Sequence, residues 1–225
     1  GMAEYVRLPK NAVISRVPDS MPVEQALLIE PYGCSKHAVD RANITNEDVV
    51  VISGAGTLGL GMISYIRMKN PRALIALDMI DSRLDKATEF GADFAWNPSK
   101  MDVVDAIMKM TDDYGCDVYI EATGHPSSVS QGLSMIRKLG RFVEFSVFGA
   151  PATVDWSIIG DRKELDILGS HLSPYAYPFI IEHIAKGTLK TDGVVTKMLP
   201  IEEWKKAFEY ATGKEGDLKV AIKFE

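Results

Sequence analysis

With 225 residues, 46% of them hydrophobic and 25% charged, the chain has the composition of a folded globular protein long enough to bury a sizeable core. Its 25 basic and 31 acidic residues give a formal net charge of −6, and the basic side chains are scattered, so no nucleic-acid partner is expected. No apolar run approaches the ~20 residues that cross a bilayer, so no membrane partner is expected either.

The opening, "GMAEYVRLPKN", lacks a basic segment followed by an apolar core, so a secretory leader is not expected. The only cysteines, Cys34 and Cys116, form neither a CxxC pair nor a disulfide ladder, which suits a cytoplasmic location. "AEYVRL" reads as a short strand, "VPDSMP" as a turn, and "VEQALLIEPYGCSKHAV" as one or two helices. Pro31 is tolerable only in a first helical turn, which puts Glu30 at or before the helix start, its carboxylate free to point away from Cys34 and His37.

From residue 46 strands and helices alternate. "EDVVVIS" is a continuous apolar run, the pattern of a parallel strand covered on both faces. A helix over "TLGLGMISYIRMKN", a strand "ALIALD" and a helix "DSRLDKATEFG" follow, the last capped by Asp81 or Ser82 and stopped by Gly91. Then come strand "FAW", helix "MDVVDAIMKMT", strand "CDVYIEATG", helix "SSVSQGLSMIRKLG" and strand "RFVEFSVFG", with "LDILGS" as a sixth strand. This alternation predicts an α/β fold with a Rossmann, doubly wound parallel sheet. A helix near Tyr177–Lys186, another in "IEEWKKAFEYAT" and a closing strand "LKVAIKF" complete the chain.

"VVVISGAGTLGLG" holds Gly54, Gly56 and Gly59 in GxGxxG spacing with Thr57 and Leu58 between them. The motif follows a strand and opens a helix, the context in which it binds a dinucleotide pyrophosphate. Asp78 closes the second strand 19 residues after Gly59, where a carboxylate binds ribose hydroxyls and repels a 2′-phosphate, so NAD is expected over NADP.

The chain resembles the zinc-dependent medium-chain alcohol and polyol dehydrogenases along essentially its whole length. The resemblance is carried by "IEP", "SGAGTLGLG", "DMIDSRLDKATEFGAD", "DVYIEATG", "GRFVEFSVFG", "ILGS" and "LKVAIKF". Sorbitol, threitol and erythritol dehydrogenases carry Glu-Pro where classical alcohol dehydrogenases carry a cysteine, as Glu30-Pro31 does here. The resemblance implies that Asp78 holds the adenosine ribose with Arg83 beside it, and that Thr123 faces the cofactor. It further implies that Ser146, Val147 and Phe148 present backbone to the nicotinamide carboxamide, with Ser170 and His171 near the nicotinamide. It makes Glu30 a zinc ligand whose upstream partners, with the rest of a GroES-like catalytic lobe, have no match in this chain. The expected division is a catalytic-lobe remnant over 1–32, a cofactor domain over 33–170 and a return to the lobe over 171–225.

Glu30, Cys34 and His37 share helical spacing, but one carboxylate, a small buried thiol and a helix histidine are not expected to make a self-sufficient zinc site. His125 follows "EATG" near the expected cofactor mouth, and His183 falls in a helix. The implied function is NAD-dependent, zinc-assisted oxidation of a secondary alcohol of a small polyol in a homo-oligomer, dimer or tetramer. "FVEFSVFGAPATVDW" is expected to be a sheet-edge subunit seam. A non-catalytic NAD(H)-binding module and a zinc-independent quinone-reductase-like enzyme are the alternatives. Asp78 and Glu30-Pro31 argue against the second.

Overall fold

The computed structural model describes residues 3–212 and 216–224; residues 1, 2, 213–215 and 225 at the expected outer segments lie outside it. Strands β1 (Val49–Ser53), β2 (Ala73–Leu77), β3 (Phe94–Trp96), β4 (Cys116–Glu121), β5 (Ile136–Glu144) and β6 (Asp166–Gly169) form one sheet. Its order is β3-β2-β1-β4-β5-β6, with every neighbouring pair parallel. The winding reverses between β1 and β4, which opens a crevice beyond their carboxyl ends.

Every residue of β1 and β4 is buried because helices cover both faces. Side chains alternate between the two layers. Val50 and Ile52 meet Leu60, Ile63 and Ile66 of α3 (Thr57–Lys69) and Ala38 and Val39 of α2 (Ile29–Ala42), which follows the short α1 (Val23–Ala26). Val49 and Val51 join a second core with Val103 and Ile107 of α5 (Val103–Met110) and Leu133 of α6 (Pro126–Met135). Helix α4 (Asp81–Phe90) adds Ala87 and Phe90 to the first core, and α7 (Tyr177–Ala185) adds Ile180, Ile181 and Ile184. Part of the chain beyond residue 170 therefore belongs to the main core. The rest makes a small parallel pair, β7 (Val195–Pro200) with β8 (Lys219–Lys223), against α8 (Trp204–Ala211).

Several sequence expectations change. "AEYVRL" forms no strand, and Tyr5 is 89% exposed. α6 stops at Met135 rather than Gly140, because Ile136 already pairs with Cys116 and the Arg137 guanidinium binds Asp117 at 2.6 Å. A register shift between Cys116 and Val118, with Leu139 at φ 57°, absorbs the extra length. Lys163 donates to the carbonyls of Leu133, Ser134 and Ile136 and closes that helix end. The N-cap of α4 is Ile80, not Asp81 or Ser82; the Asp81 carboxylate turns to Asn97 at 2.9 Å and to Lys100 instead. Gly91, at φ 116°, stops α4 as expected. β5 is paired on both sides, so "FVEFSVFGAPATVDW" is not a sheet edge; the edges of this sheet are β3 and β6.

Candidate functional site

Between β1 and α3 the chain turns within three residues. Gly54 sits at φ 108°, and an added Cβ would lie 2.6 Å from the Ala122 carbonyl oxygen, so conformation and crowding both require glycine. A Cβ on Gly59 would fall 1.9 Å from the Gly54 oxygen. Gly56 is different: its added Cβ would meet nothing within 4 Å, so packing inside the chain does not explain the glycine. Gly56 is also the N-cap of α3, where no side chain caps the helix. Open space over bare first-turn N–H groups fits a pyrophosphate approaching the backbone.

The Thr57 hydroxyl and the Leu58 carbonyl anchor this turn to the rest of the chain. The Thr57 hydroxyl donates to the Leu218 carbonyl at 2.8 Å, and the Leu58 carbonyl accepts the Ser35 hydroxyl at 2.8 Å. What Thr57 offers a phosphate is its backbone N–H. Asp78, with a side chain 9% exposed, accepts the Ala55 N–H at 2.8 Å through Oδ2 and the Ile80 N–H at 2.9 Å through Oδ1. Arg83 does lie beside Asp78, its Nη1 4.0 Å from Oδ2.

Beyond β4, Glu121 is wholly buried and densely hydrogen-bonded. It accepts the Thr123 N–H at 2.8 Å, the Thr123 and Ser128 hydroxyls at 2.5 Å each, and the Gly124 N–H at 3.2 Å. Thr123 is exposed at the crevice mouth, but its hydroxyl is turned inward. Glu144 stands in register with Glu121 on β5, and its Oε1 is buried without a partner among the described residues. Burial, then the Glu121 charge, raises the Glu144 pKa. Sequence reasoning missed both carboxylates, although each ends an apolar strand run, "DVYIE" and "RFVE".

After β5, the Ser146 hydroxyl donates to the Glu121 carbonyl at 3.4 Å, Val147 is 95% exposed and Phe148 is half-buried. Gly124, at φ 71°, would place a Cβ 2.7 Å from the Val147 oxygen, so the loops after β4 and β5 meet backbone to backbone. After β6, the Ser170 N–H donates to the Glu144 backbone carbonyl at 3.0 Å, while the Ser170 hydroxyl is buried without a partner among the described residues. His171 lines an apolar cleft of about 710 Å³ with Val13, Ile14, Leu172 and Tyr175. The expected cofactor residues therefore fall along the carboxyl ends of β1, β2, β4, β5 and β6.

Glu30 lies inside the first turn of α2, not before it, and its Oε1 accepts the Cys34 thiol at 3.4 Å. The carboxylate therefore does run along the Cys34 face. Burial, then the Glu30 charge, pushes that thiol up to about 11, so it stays protonated at neutral pH. No three His, Cys, Asp or Glu among the described residues are grouped to hold a metal, so this donor set does not fit a tetrahedral zinc. His125 caps α6, its Nδ1 accepting the Ser127 N–H at 3.3 Å. His183 bonds the Thr188 hydroxyl at 2.7 Å and stacks on Phe179.

Residues 57–186 match the zinc-binding dehydrogenase family model. The chain is 47% identical over 222 residues to an erythritol/L-threitol dehydrogenase of Mycolicibacterium smegmatis, across 98% of this chain and 61% of that protein's length. It superposes on the apo form of zinc-dependent alcohol dehydrogenase 2 from Streptococcus pneumonia with a TM-score of 0.89 at 25% identity, covering 99% of this chain and 65% of the other. An Escherichia coli CFT073 alcohol dehydrogenase complexed with NADH gives a TM-score of 0.85 at 25% identity, over 93% and 62% of the two chains.

Proposed function

Because the chain belongs to the zinc-binding dehydrogenase family, we propose that it is the cofactor-binding part of an NAD-dependent, zinc-assisted oxidoreductase. Its substrate class is a small polyol, whose secondary alcohol becomes a ketone; the similarity to an erythritol/L-threitol dehydrogenase supports that class. The observation that carries the cofactor assignment is Gly56, a glycine facing open space at an uncapped helix N-terminus. NAD held in this crevice would supply the hydride acceptor for the substrate's carbinol carbon.

The first turn of α3 receives the pyrophosphate, and the Asp78 carboxylate, already oriented by Ala55 and Ile80, takes the adenosine ribose hydroxyls. Backbone groups of Ser146, Val147 and Phe148 hold the carboxamide end, and Ser170 and His171 border it. Glu30 is the one carboxylate assigned to zinc, with the other ligands supplied from outside these 225 residues. The full protein is assigned to the cytoplasm as a homo-oligomer, dimer or tetramer.

The 225-residue chain by itself is expected to bind NADH and to oxidise polyols very poorly or not at all. Fluorescence titration with NADH, followed by turnover assays with erythritol, threitol and sorbitol in added zinc, checks both halves. Absence of saturable NADH binding overturns the cofactor assignment, and robust turnover overturns the expected inactivity.

A further inference from the structure

Glu121 and Glu144 stand in register at the carboxyl ends of β4 and β5, but their surroundings differ. Glu121 is engaged by Thr123, Gly124 and Ser128, so closing the loop after β4 accounts for it. Glu144 has no such account: its Oε1 is buried without a partner among the described residues. An orphaned buried oxygen beside a second carboxylate works against folding, so the side chain calls for a role beyond it. Burial, then the Glu121 charge, raises the Glu144 pKa, and the Ser146 backbone N–H facing the carboxylate acts the other way. The main chain of Glu144 is itself rigid. It pairs with Glu121 on one side and Gly169 on the other, and its carbonyl accepts the Ser170 N–H at 3.0 Å. The loop that begins beyond it is held less firmly. The Phe145 N–H and the Ser146 hydroxyl reach the Glu121 carbonyl only at 3.3 and 3.4 Å, and Val147 is 95% exposed.

We propose that Glu144 is a positioning residue for the nicotinamide end of the cofactor: by holding the Ser146 peptide it sets how the backbone of residues 146–148 faces the crevice. The inference rests on the proposal that this crevice binds NAD(H) with that loop at the carboxamide. A carboxylate is a stronger acceptor for a backbone N–H than a neutral oxygen, and here it sits on a paired strand directly before the loop it holds. Backbone groups can recognise a carboxamide only if their peptide planes are fixed before the ligand arrives. The adenosine end lies at the ends of β1 and β2 and does not touch this loop, so Glu144 acts on one end of the dinucleotide only.

The test compares NADH with ADP-ribose, which keeps the adenosine and both phosphates but lacks the nicotinamide, by calorimetric titration of the 225-residue chain. Glu144→Met keeps the length of the side chain and removes the acceptor. It is expected to weaken NADH by about fivefold, the worth of one lost hydrogen bond, and to leave ADP-ribose within about twofold. Glu144→Gln keeps an acceptor oxygen for the Ser146 N–H and is expected to retain most of the NADH affinity. Equal weakening of both ligands by Glu144→Met would show a purely structural role and overturn the inference, as would no change in either. A Glu144→Gln chain that loses as much NADH affinity as Glu144→Met also overturns it, because an acceptor oxygen is then not what matters. If the wild-type chain binds neither ligand, the NAD(H) assignment fails and takes the inference with it. Should Glu144→Met not fold, Glu144→Ala, which brings no bulk into the site, is read against the same outcomes.

Discussion

The Asp78 carboxylate accepts the Ala55 N–H at 2.8 Å, so the side chain assigned to the ribose also fastens the phosphate turn. A second backbone donor, Ile80, holds its other oxygen at 2.9 Å. Asp78→Ala is therefore expected to loosen the preference for NAD over NADP and also to weaken NADH binding. Two N–H groups lose their acceptor, at a cost of about 1–3 kcal/mol in stability. Asp78→Asn keeps an oxygen for one of them and should recover part of that stability without recovering selectivity. Calorimetry gives the stability and nucleotide titration the ratio; an unchanged ratio removes the assignment of Asp78.

The glycines of the turn separate packing from ligand space. Gly59→Ala forces a methyl to 1.9 Å from the Gly54 oxygen, so the strand and helix must part. Overpacking of that kind is expected to cost about 3 kcal/mol or more. Gly56→Ala meets nothing and is expected to fold with a change of no more than about 0.5 kcal/mol. Its NADH affinity should nevertheless fall by about tenfold or more, since one misplaced contact at the pyrophosphate is worth that much. Thermal melts beside NADH titrations check the pair, and a Gly56→Ala protein with unaltered affinity would remove the pyrophosphate from this turn.

The strand–helix alternation and the phosphate turn were legible because periodicity and glycine spacing are local properties. Gly54, Gly56 and Gly59 fall in the turn and first helical turn between β1 and α3, Asp78 follows β2, and Arg83, singled out by the family resemblance, lies beside it. What sequence could not show was long-range pairing. The Thr57 hydroxyl is taken by Leu218, 161 residues away, and Arg83 reaches Asp217, 134 residues away. The helix expected through "IRKLG" gave way for the same reason: the Ile136–Cys116 pairing and the Arg137–Asp117 ion pair override local helix propensity.

Glu144 supplies a pH prediction. Burial first, then the Glu121 carboxylate in register with it, raises its folded pKa above the ordinary carboxylate value. The folded state therefore holds that proton more tightly than the unfolded chain does. Its contribution to stability is full below the unfolded pKa and is lost as pH rises through the higher folded value. At neutral pH, Glu144→Gln removes the buried like charge and is expected to gain about 0.5 kcal/mol, or roughly 1–2 °C in melting temperature. The gain should vanish under acidic conditions, where Glu144 is protonated anyway. Melting curves across pH check this, and a gain that is constant with pH would show that repulsion from Glu121 is not its source.

Glu30 and Cys34 give a test that needs neither cofactor nor metal. The thiol donates to Glu30 Oε1 at 3.4 Å, and burial, then the Glu30 charge, raises it to about 11. Glu30→Gln removes that charge while leaving the burial in place, so the Cys34 pKa is expected to fall part of the way back. A larger thiolate fraction at mildly alkaline pH then speeds alkylation of Cys34 by iodoacetamide, by about two- to tenfold. Cys116 is fully buried, with its thiol pushed up strongly by burial, so it should stay unmodified in the folded chain and leave one reporting site. Peptide mass spectrometry of timed samples reads the rate at Cys34. An unchanged rate in Glu30→Gln would mean that the carboxylate is turned away from the thiol in solution. An accelerated rate places the Glu30 carboxylate on the same face of α2 as Cys34, close enough for its charge to hold the thiol protonated.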